Sequence, residues 1–129
     1  MKSILIVSIL CFVVSSCAKY EGQGGAATIK GVVIEQRYNS LGNVISSYPA
    51  QDQDIFIIYG EENTFYDDDI KTSFDGTFEF RYLRKGKYKV FTYEDCNTCP
   101  SGKKEVIQEA IITEKNQELI MDTIFIKKI

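Results

Sequence analysis

The stretch TSFDGTFEFRYLRKGKYKVFTY, residues 72–93, decides the fold of this chain. Asp75-Gly76 separates two runs of β-forming residues, and an Asp-Gly pair in that setting predicts a hairpin with a type I′ turn, in which both central residues need φ > 0. Alternation in the next strand places on one face the side chains of Phe78, Phe80 and Tyr82. A second turn at residues 84–87 leads into another strand. Together these signals predict a three-stranded meander, whose aromatic face other β-elements must cover.

Short apolar runs separated by turn residues flank the meander on both sides. The further predicted strands are residues 28–38, 44–48, 54–60, 104–113 and 119–127, with residues 70–74 leading into the meander. The apolar part of 104–113 also fits a helix, and Gly31 suggests a bulge or a close approach of two backbones. Seven or eight short strands with turns every 8–12 residues predict an all-β protein, a β-sandwich.

Composition excludes several classes of function. The chain has 129 residues and a formal net charge of −3, so it lacks the basic footprint of a nucleic-acid-binding protein. It contains no His, which is the commonest general base and a common metal ligand. No P-loop, G-x-S-x-G or H-E-x-x-H motif is present. We therefore expect a protein that is not an enzyme and has no cofactor.

The N-terminus has the pattern of a targeting signal. A short basic start precedes an apolar run at residues 4–14, which is shorter than the roughly 20 residues of a membrane-spanning helix. The run ends in Val14-Ser15-Ser16-Cys17, which resembles the lipobox of bacterial lipoproteins. The resemblance implies removal of residues 1–16, diacylglycerol on the Cys17 sulfur and a fatty acid such as palmitate on the new amine. An ordinary secretory signal is the alternative.

The residues after Cys17 predict a tether and a location. Residues 18–27 are rich in Gly and Ala and would form a flexible linker that reaches roughly 35 Å when fully extended. The predicted division is thus signal peptide 1–16, lipidated Cys and tether 17–27, and sandwich 28–129. Ala18 is not the Asp that retains lipoproteins in the inner membrane of enteric bacteria, so the resemblance favours the outer membrane. Whether the domain faces the periplasm or the cell surface stays open.

The central stretch resembles the carboxypeptidase regulatory-like, or transthyretin-like (prealbumin-like), domain family. The residues that carry the resemblance are Asp75, Gly76, Phe78, Phe80, Leu83, Gly86, Tyr88 and Val90, together with Gly31-Val32-Val33 in the first strand. Lys85 stands where that family often has Pro. The resemblance implies a Greek-key sandwich in a small Gram-negative outer-membrane lipoprotein. It also suggests a tyrosine corner, in which the Tyr88 hydroxyl hydrogen-bonds to nearby backbone.

Cys96-Asn97-Thr98-Cys99 is the motif with the most evident chemistry. A redox pair of the thioredoxin type needs a helix that starts at the first Cys, whereas Pro100 and a predicted strand follow here. A zinc site needs four ligands, and no second such motif exists. Outside the cytoplasm a structural disulfide between Cys96 and Cys99 is the expected state, with free or intermolecular thiols as the alternative.

Two further groups of residues suggest binding. Asp67, Asp68 and Asp69 offer oxygen ligands to Ca²⁺, but their spacing fits a solvated loop or a protected sheet edge better. A second group would form an exposed patch for a sugar or a protein, although sandwich aromatics are more often core; its members are Phe56, Phe65, Tyr66, Phe91 and Tyr93. These observations favour a non-catalytic, lipid-anchored envelope protein whose sandwich is a structural or protein-interaction module. A surface lipoprotein that binds a glycan or a small ligand is the alternative.

Overall fold

The computed structural model describes residues 21–61 and 64–129, which form two β-sheets packed face to face. Its strands are β1 Gln23–Tyr38, β2 Val44–Pro49, β3 Asp54–Tyr59, β4 Asp68–Lys71, β5 Thr77–Leu83, β6 Gly86–Asp95, β7 Lys103–Ile112, β8 Glu118–Ile120 and β9 Ile124–Lys128. The predicted all-β sandwich is confirmed, and β7 excludes the helical alternative for residues 104–113. No helix in the described ranges is long and apolar enough to cross a membrane. The predicted signal peptide and Cys17 lie outside the described residues.

The long strand β1 organises the first sheet. Its first part pairs antiparallel with β5 and its second part antiparallel with β2, and it pairs parallel with β8 and then β9. The partner changes at Val33, whose N–H donates to Gly76 O at 2.9 Å and whose carbonyl accepts from Ala50 N–H at 2.9 Å. One residue thus joins the start of β5 to the end of β2.

The second sheet is antiparallel throughout, in the order β4-β3-β6-β7. The core between the sheets is formed by alternate residues of both, because successive side chains of a strand point to opposite faces. Its largest fully buried side chains are Tyr88, Ile29, Ile55, Ile57, Leu83, Ile112, Ile124 and Ile126. The ring of Phe78 packs on Gly31, where a Cβ would lie 2.4 Å from the ring. Gly31 is thus required by a side-chain ring rather than by the bulge or the close approach of two backbones that the sequence suggested.

The predicted meander is wrong, because its strands alternate between the sheets. β4 and β6 belong to the second sheet and β5 to the first. Thr72 keeps the end of β4 with the second sheet: its N–H donates to Gln53 O at 2.9 Å, and its hydroxyl accepts from Gln53 N–H at 2.9 Å. The backbone groups of β5 meanwhile pair with β1. The two predicted hairpin turns are therefore crossings from one sheet to the other.

The Asp75-Gly76 turn lies where the sequence places it, but it is not type I′. Gly76 N–H donates to Ser73 O at 2.9 Å, and of the two predicted central residues only Gly76 has a positive φ, at 80°. The loop thus contains three residues, Phe74 to Gly76, and is closed by Ser73 N–H donating to Thr77 O at 2.8 Å. The Asp75 carboxylate accepts from the Thr77 hydroxyl at 2.6 Å, a bond that lowers the pKa of Asp75.

Two boundaries differ from those predicted. β1 begins at Gln23 rather than at residue 28, and Ala27 is fully buried, so residues 23–27 belong to the sandwich and not to a tether. The predicted last strand is two strands, β8 and β9, so the described residues form nine strands rather than seven or eight. Between them three residues, 121–123, face only two residues of β1, so the regular pairing is interrupted there.

Candidate functional site

The Tyr88 hydroxyl is hydrogen-bonded both to the beginning of the described chain and to the crossing between β5 and β6. Its side chain is buried, its hydroxyl donates to Arg84 O at 2.6 Å, and it accepts from Gly22 N–H at 2.9 Å. The bond to Arg84 is the contact expected of a tyrosine corner. Burial raises the pKa of Tyr88 above its usual value. Leu83 and Gly86 flank the crossing, and this group of residues has a structural role.

Cys96 and Cys99 form a disulfide, as predicted, with their Cα atoms 5.4 Å apart. The bridge lies in the turn between β6 and β7, which is closed by Cys96 N–H donating to Gly102 O at 2.9 Å. A strand follows this turn rather than a helix, so the helix N-terminus that would activate a redox thiol is missing here. The bridge therefore ties the tip of a hairpin.

The three aspartates do not converge on a common point. Asp67 accepts through Oδ2 from Tyr59 N–H at 2.7 Å, and Asp68 and Asp69 are neighbours on β4, where successive side chains point to opposite faces. Across residues 21–61 and 64–129, no three His, Cys, Asp or Glu side chains come together in a way that could hold a metal ion. The described geometry therefore does not bring the three aspartates together as ligands of one calcium ion. Asp68 and Asp69 lie on an edge strand, where charge discourages pairing with another chain.

Four of the five predicted aromatic residues meet on the solvent side of the second sheet. Phe56 of β3 lies opposite Phe91 of β6, and Phe91 lies opposite Ile107 of β7. Phe56 is at the centre of the group: its ring centroid lies 5.1 Å from that of Phe91, 4.7 Å from that of Tyr66 and 5.8 Å from that of Tyr93. We refer to Phe56, Tyr66, Phe91 and Tyr93 as the aromatic face.

The aromatic face is partly closed and partly open to solvent. Phe91 is only 6% exposed because its neighbours cover it, whereas Tyr66 is 50% and Tyr93 37% exposed. Next to them Ile107 of β7 is 51% exposed. The fifth aromatic residue, Phe65, is exposed on the preceding loop and is in none of these ring contacts. Tyr66, Tyr93 and Ile107 thus offer an apolar surface that no part of the described chain buries.

An open groove of about 880 Å³ borders the aromatic face at the end of β6. It is lined by Phe56, Tyr93 and Ile107 and by a polar rim of Asp52, Gln53, Asp54, Ser101, Lys103, Lys104, Glu105 and Lys128. Two of the rim charges are paired, Asp54 with Lys71 at 3.0 Å and Lys103 with Asp95. The hydrogen bond from Lys103 lowers the pKa of Asp95. An apolar floor with hydrogen-bonding groups at its edge suits a ligand that is itself amphipathic.

The sequence alone does not identify every residue of this site. The sequence identified the aromatic residues but not Ile107, Ser101 or Lys104, which complete the groove. A signal was present in β7, where apolar residues occupy consecutive positions at Val106-Ile107 and again at Ile111-Ile112. Because only one face of such a strand can point into the core, the apolar side chains on its other face lie on the outer side of the sheet.

No model of a protein family matches the chain, and no curated protein matches it. Among solved structures, the chain is similar to a Pseudomonas aeruginosa protein that is provisionally named a carbohydrate-binding protein. The two share 9% sequence identity with a TM-score of 0.49, over 83% of this chain and 91% of the other.

Proposed function

We propose that the protein is a non-catalytic, lipid-anchored protein of the Gram-negative outer membrane whose sandwich binds a carbohydrate on the aromatic face. The lipobox-like sequence ending at Cys17 supports the anchor. The observation that carries the binding proposal is the position of Tyr66 and Tyr93, half-exposed around Phe56 on the outer side of a sheet. Core aromatics would lie between the sheets.

The chemistry of the groove fits a sugar. A pyranose ring has faces of C–H groups that pack on an aromatic ring, and hydroxyls around its edge that both donate and accept hydrogen bonds. Tyr93 and Ile107 supply the apolar surface, and the rim supplies the polar groups. Asp54 and Lys103 each form an ion pair with a residue of opposite charge, and the net charge of the rim is close to zero. Such a rim suits a neutral ligand better than a strongly charged one.

A titration of purified protein with soluble envelope polysaccharides tests this proposal. We expect Tyr93→Ala to weaken binding at least tenfold, because one aromatic anchor in a shallow site carries much of the affinity. Tyr48→Ala is a matched control, since Tyr48 is 38% exposed and Tyr93 37%, but Tyr48 lies on β2 of the other sheet. Equal binding by both variants and the wild type would exclude the aromatic face as the site.

A protein-interaction module is the second candidate, and the hairpin of β1 and β2 supports it. Its tip exposes Leu41 by 83% and Ile45 by 64%, and residues 39–51 contain no charged side chain. Exposed apolar residues without charge are typical of protein contact surfaces. A photo-crosslinking residue at Leu41 that captures one defined envelope protein, where the same residue at Ile107 does not, would support this function.

A further inference from the structure

The segment that follows the proposed anchor is held by the sandwich itself. Gly22 is buried, its N–H donates to the Tyr88 hydroxyl at 2.9 Å, and its carbonyl accepts from Arg84 N–H at 2.8 Å. The Glu21 side chain lies over two glycines: a Cβ on Gly86 would be 2.2 Å from Glu21 Cγ, and one on Gly60 would be 3.4 Å from Glu21 Oε2. The sandwich therefore holds the chain from Glu21 onwards, and not only from residue 28.

Little chain is left between this fixed point and the anchor. Only Ala18, Lys19 and Tyr20 separate Cys17 from Glu21. Fully extended backbone advances at most about 3.6 Å per residue, so the Cα atoms of residues 17 and 21 can be no more than about 14 Å apart. This is less than half of the reach that the sequence suggested for a flexible tether.

The rest of the molecule extends away from that point. β1 runs from its start beside Tyr88 to Tyr38, and the part from Ala27 onwards is about 35 Å long. β6 likewise starts at Gly86, beside Glu21, and reaches Tyr93 roughly 20 Å farther on. One end of the sandwich thus carries the connection to the lipid. The groove and the tip of the β1–β2 hairpin lie away from that end.

We propose that the sandwich rests on the membrane with the end formed by Gly22, Gly60 and residues 84–87 against the lipid headgroups. This inference rests on the lipid anchor at Cys17 that is part of the proposed function. Lys85 is exposed at this end, where a cationic side chain meets headgroup phosphates, whereas the neighbouring Lys87 is ion-paired with Glu61 at 3.1 Å. The groove and the hairpin tip then face away from the bilayer, where a large polysaccharide or a partner protein can reach them.

Site-specific quenching in vesicles tests the orientation. The lipidated protein is reconstituted into phosphatidylcholine vesicles with nitroxide-labelled headgroups, and a fluorophore is attached in a Lys85→Cys or a Leu41→Cys variant. The Cys96–Cys99 disulfide and the lipid on Cys17 leave the introduced cysteine as the reactive thiol. We expect quenching of the label at position 85 to be at least threefold stronger than at position 41.

A spacer variant supplies the control. A flexible Gly-Ser insertion of about 20 residues between Tyr20 and Glu21 frees the domain, and should bring the quenching ratio close to one. Equal quenching at both positions without the insertion, in protein that floats with the vesicles, would overturn the orientation and leave the anchor intact. Protein that fails to float would overturn both. The polysaccharide titration is independent of either result.

Discussion

At the scale of single residues, the Tyr88 hydroxyl makes the most consequential contact. It satisfies both the Arg84 carbonyl and the Gly22 N–H, and the Tyr88 side chain is itself buried. Tyr88→Phe keeps the packing and leaves these groups without their partner. We expect a loss of about 1–2 kcal/mol in the free energy of unfolding, measured by urea denaturation, with the fold retained.

Tyr48→Phe is the control for this change. Tyr48 is 38% exposed, so water can replace the bonds of its hydroxyl, and its removal should cost less than about 0.5 kcal/mol. If Tyr88→Phe and Tyr48→Phe unfold at the same urea concentration, the corner does not stabilise the domain.

Asp95 links three parts of the chain through one carboxylate. It binds Lys103 Nζ and accepts from Ile129 N–H at 3.1 Å, while Glu94 accepts from Lys127 N–H at 2.9 Å. These bonds cover the outer edge of β9. Since the folded state lowers the pKa of Asp95, the carboxylate stabilises the fold above its unfolded pKa of about 3.9, and this contribution is lost as the pH falls through the lower folded value.

The predicted result is a difference between wild type and Asp95→Asn that depends on pH. The variant should be less stable at pH 7, by at most about 1 kcal/mol in the free energy of unfolding because the pair is near the surface, and the difference should shrink as the pH falls below the unfolded pKa of about 3.9. Thermal unfolding followed by circular dichroism between pH 2.5 and 7 measures this. A difference that stays constant over the range would mean that the ionised carboxylate is not the cause.

At the scale of elements, the turn between β4 and β5 depends on the space at Gly76. Gly76 and Gly42 have almost the same φ, 80° and 82°. A Cβ on Gly76 would lie 2.5 Å from Val33 O, whereas a Cβ on Gly42 would meet nothing within 4 Å. Comparing an alanine substitution at each of the two glycines therefore separates the energetic cost of backbone strain from the cost of steric contact.

We expect Gly42→Ala to cost roughly 1–2 kcal/mol, for the left-handed backbone alone. Gly76→Ala should cost about 3 kcal/mol or more, because Val33 must also move and its hydrogen bonds join β5 to β2. Urea denaturation of the two variants provides the comparison. If both variants lost the same free energy of unfolding, the backbone near Val33 would be able to move away from the new Cβ at no energetic cost.

The same turn marks the limit of what local sequence predicts. Turn chemistry located the Asp75-Gly76 loop, and the pattern around it predicted strands on both sides. Whether those strands pair with each other depends on partners far away in the sequence, such as Gln53 for Thr72 and β1 for β5. Likewise, Gly25 resembled part of a linker. It is glycine because a Cβ there would lie 2.1 Å from Leu83 O.

At the scale of the whole molecule, the second sheet carries apolar side chains on both faces, and the first sheet covers only one of these faces. The sequence identified the aromatic residues of the outer face but not which ones cluster, since strand pairing places Phe56 beside Phe91 and Ile107. The sequence also does not reveal the groove, because its lining residues come from separate parts of the chain, near residues 52, 93, 103 and 128. The aromatic face is the feature that most favours ligand binding over a purely structural role.

The most direct test of this account is an NMR titration of the purified protein with an oligosaccharide from the polysaccharide that binds best. We expect the perturbed amide and aromatic signals to cluster at Tyr66, Phe91, Tyr93 and Ile107 and at the rim residues Ser101 and Lys104, while the signals of residues 39–49 stay unchanged. Perturbations confined to the β1–β2 hairpin, or no perturbation by any envelope oligosaccharide, would contradict it.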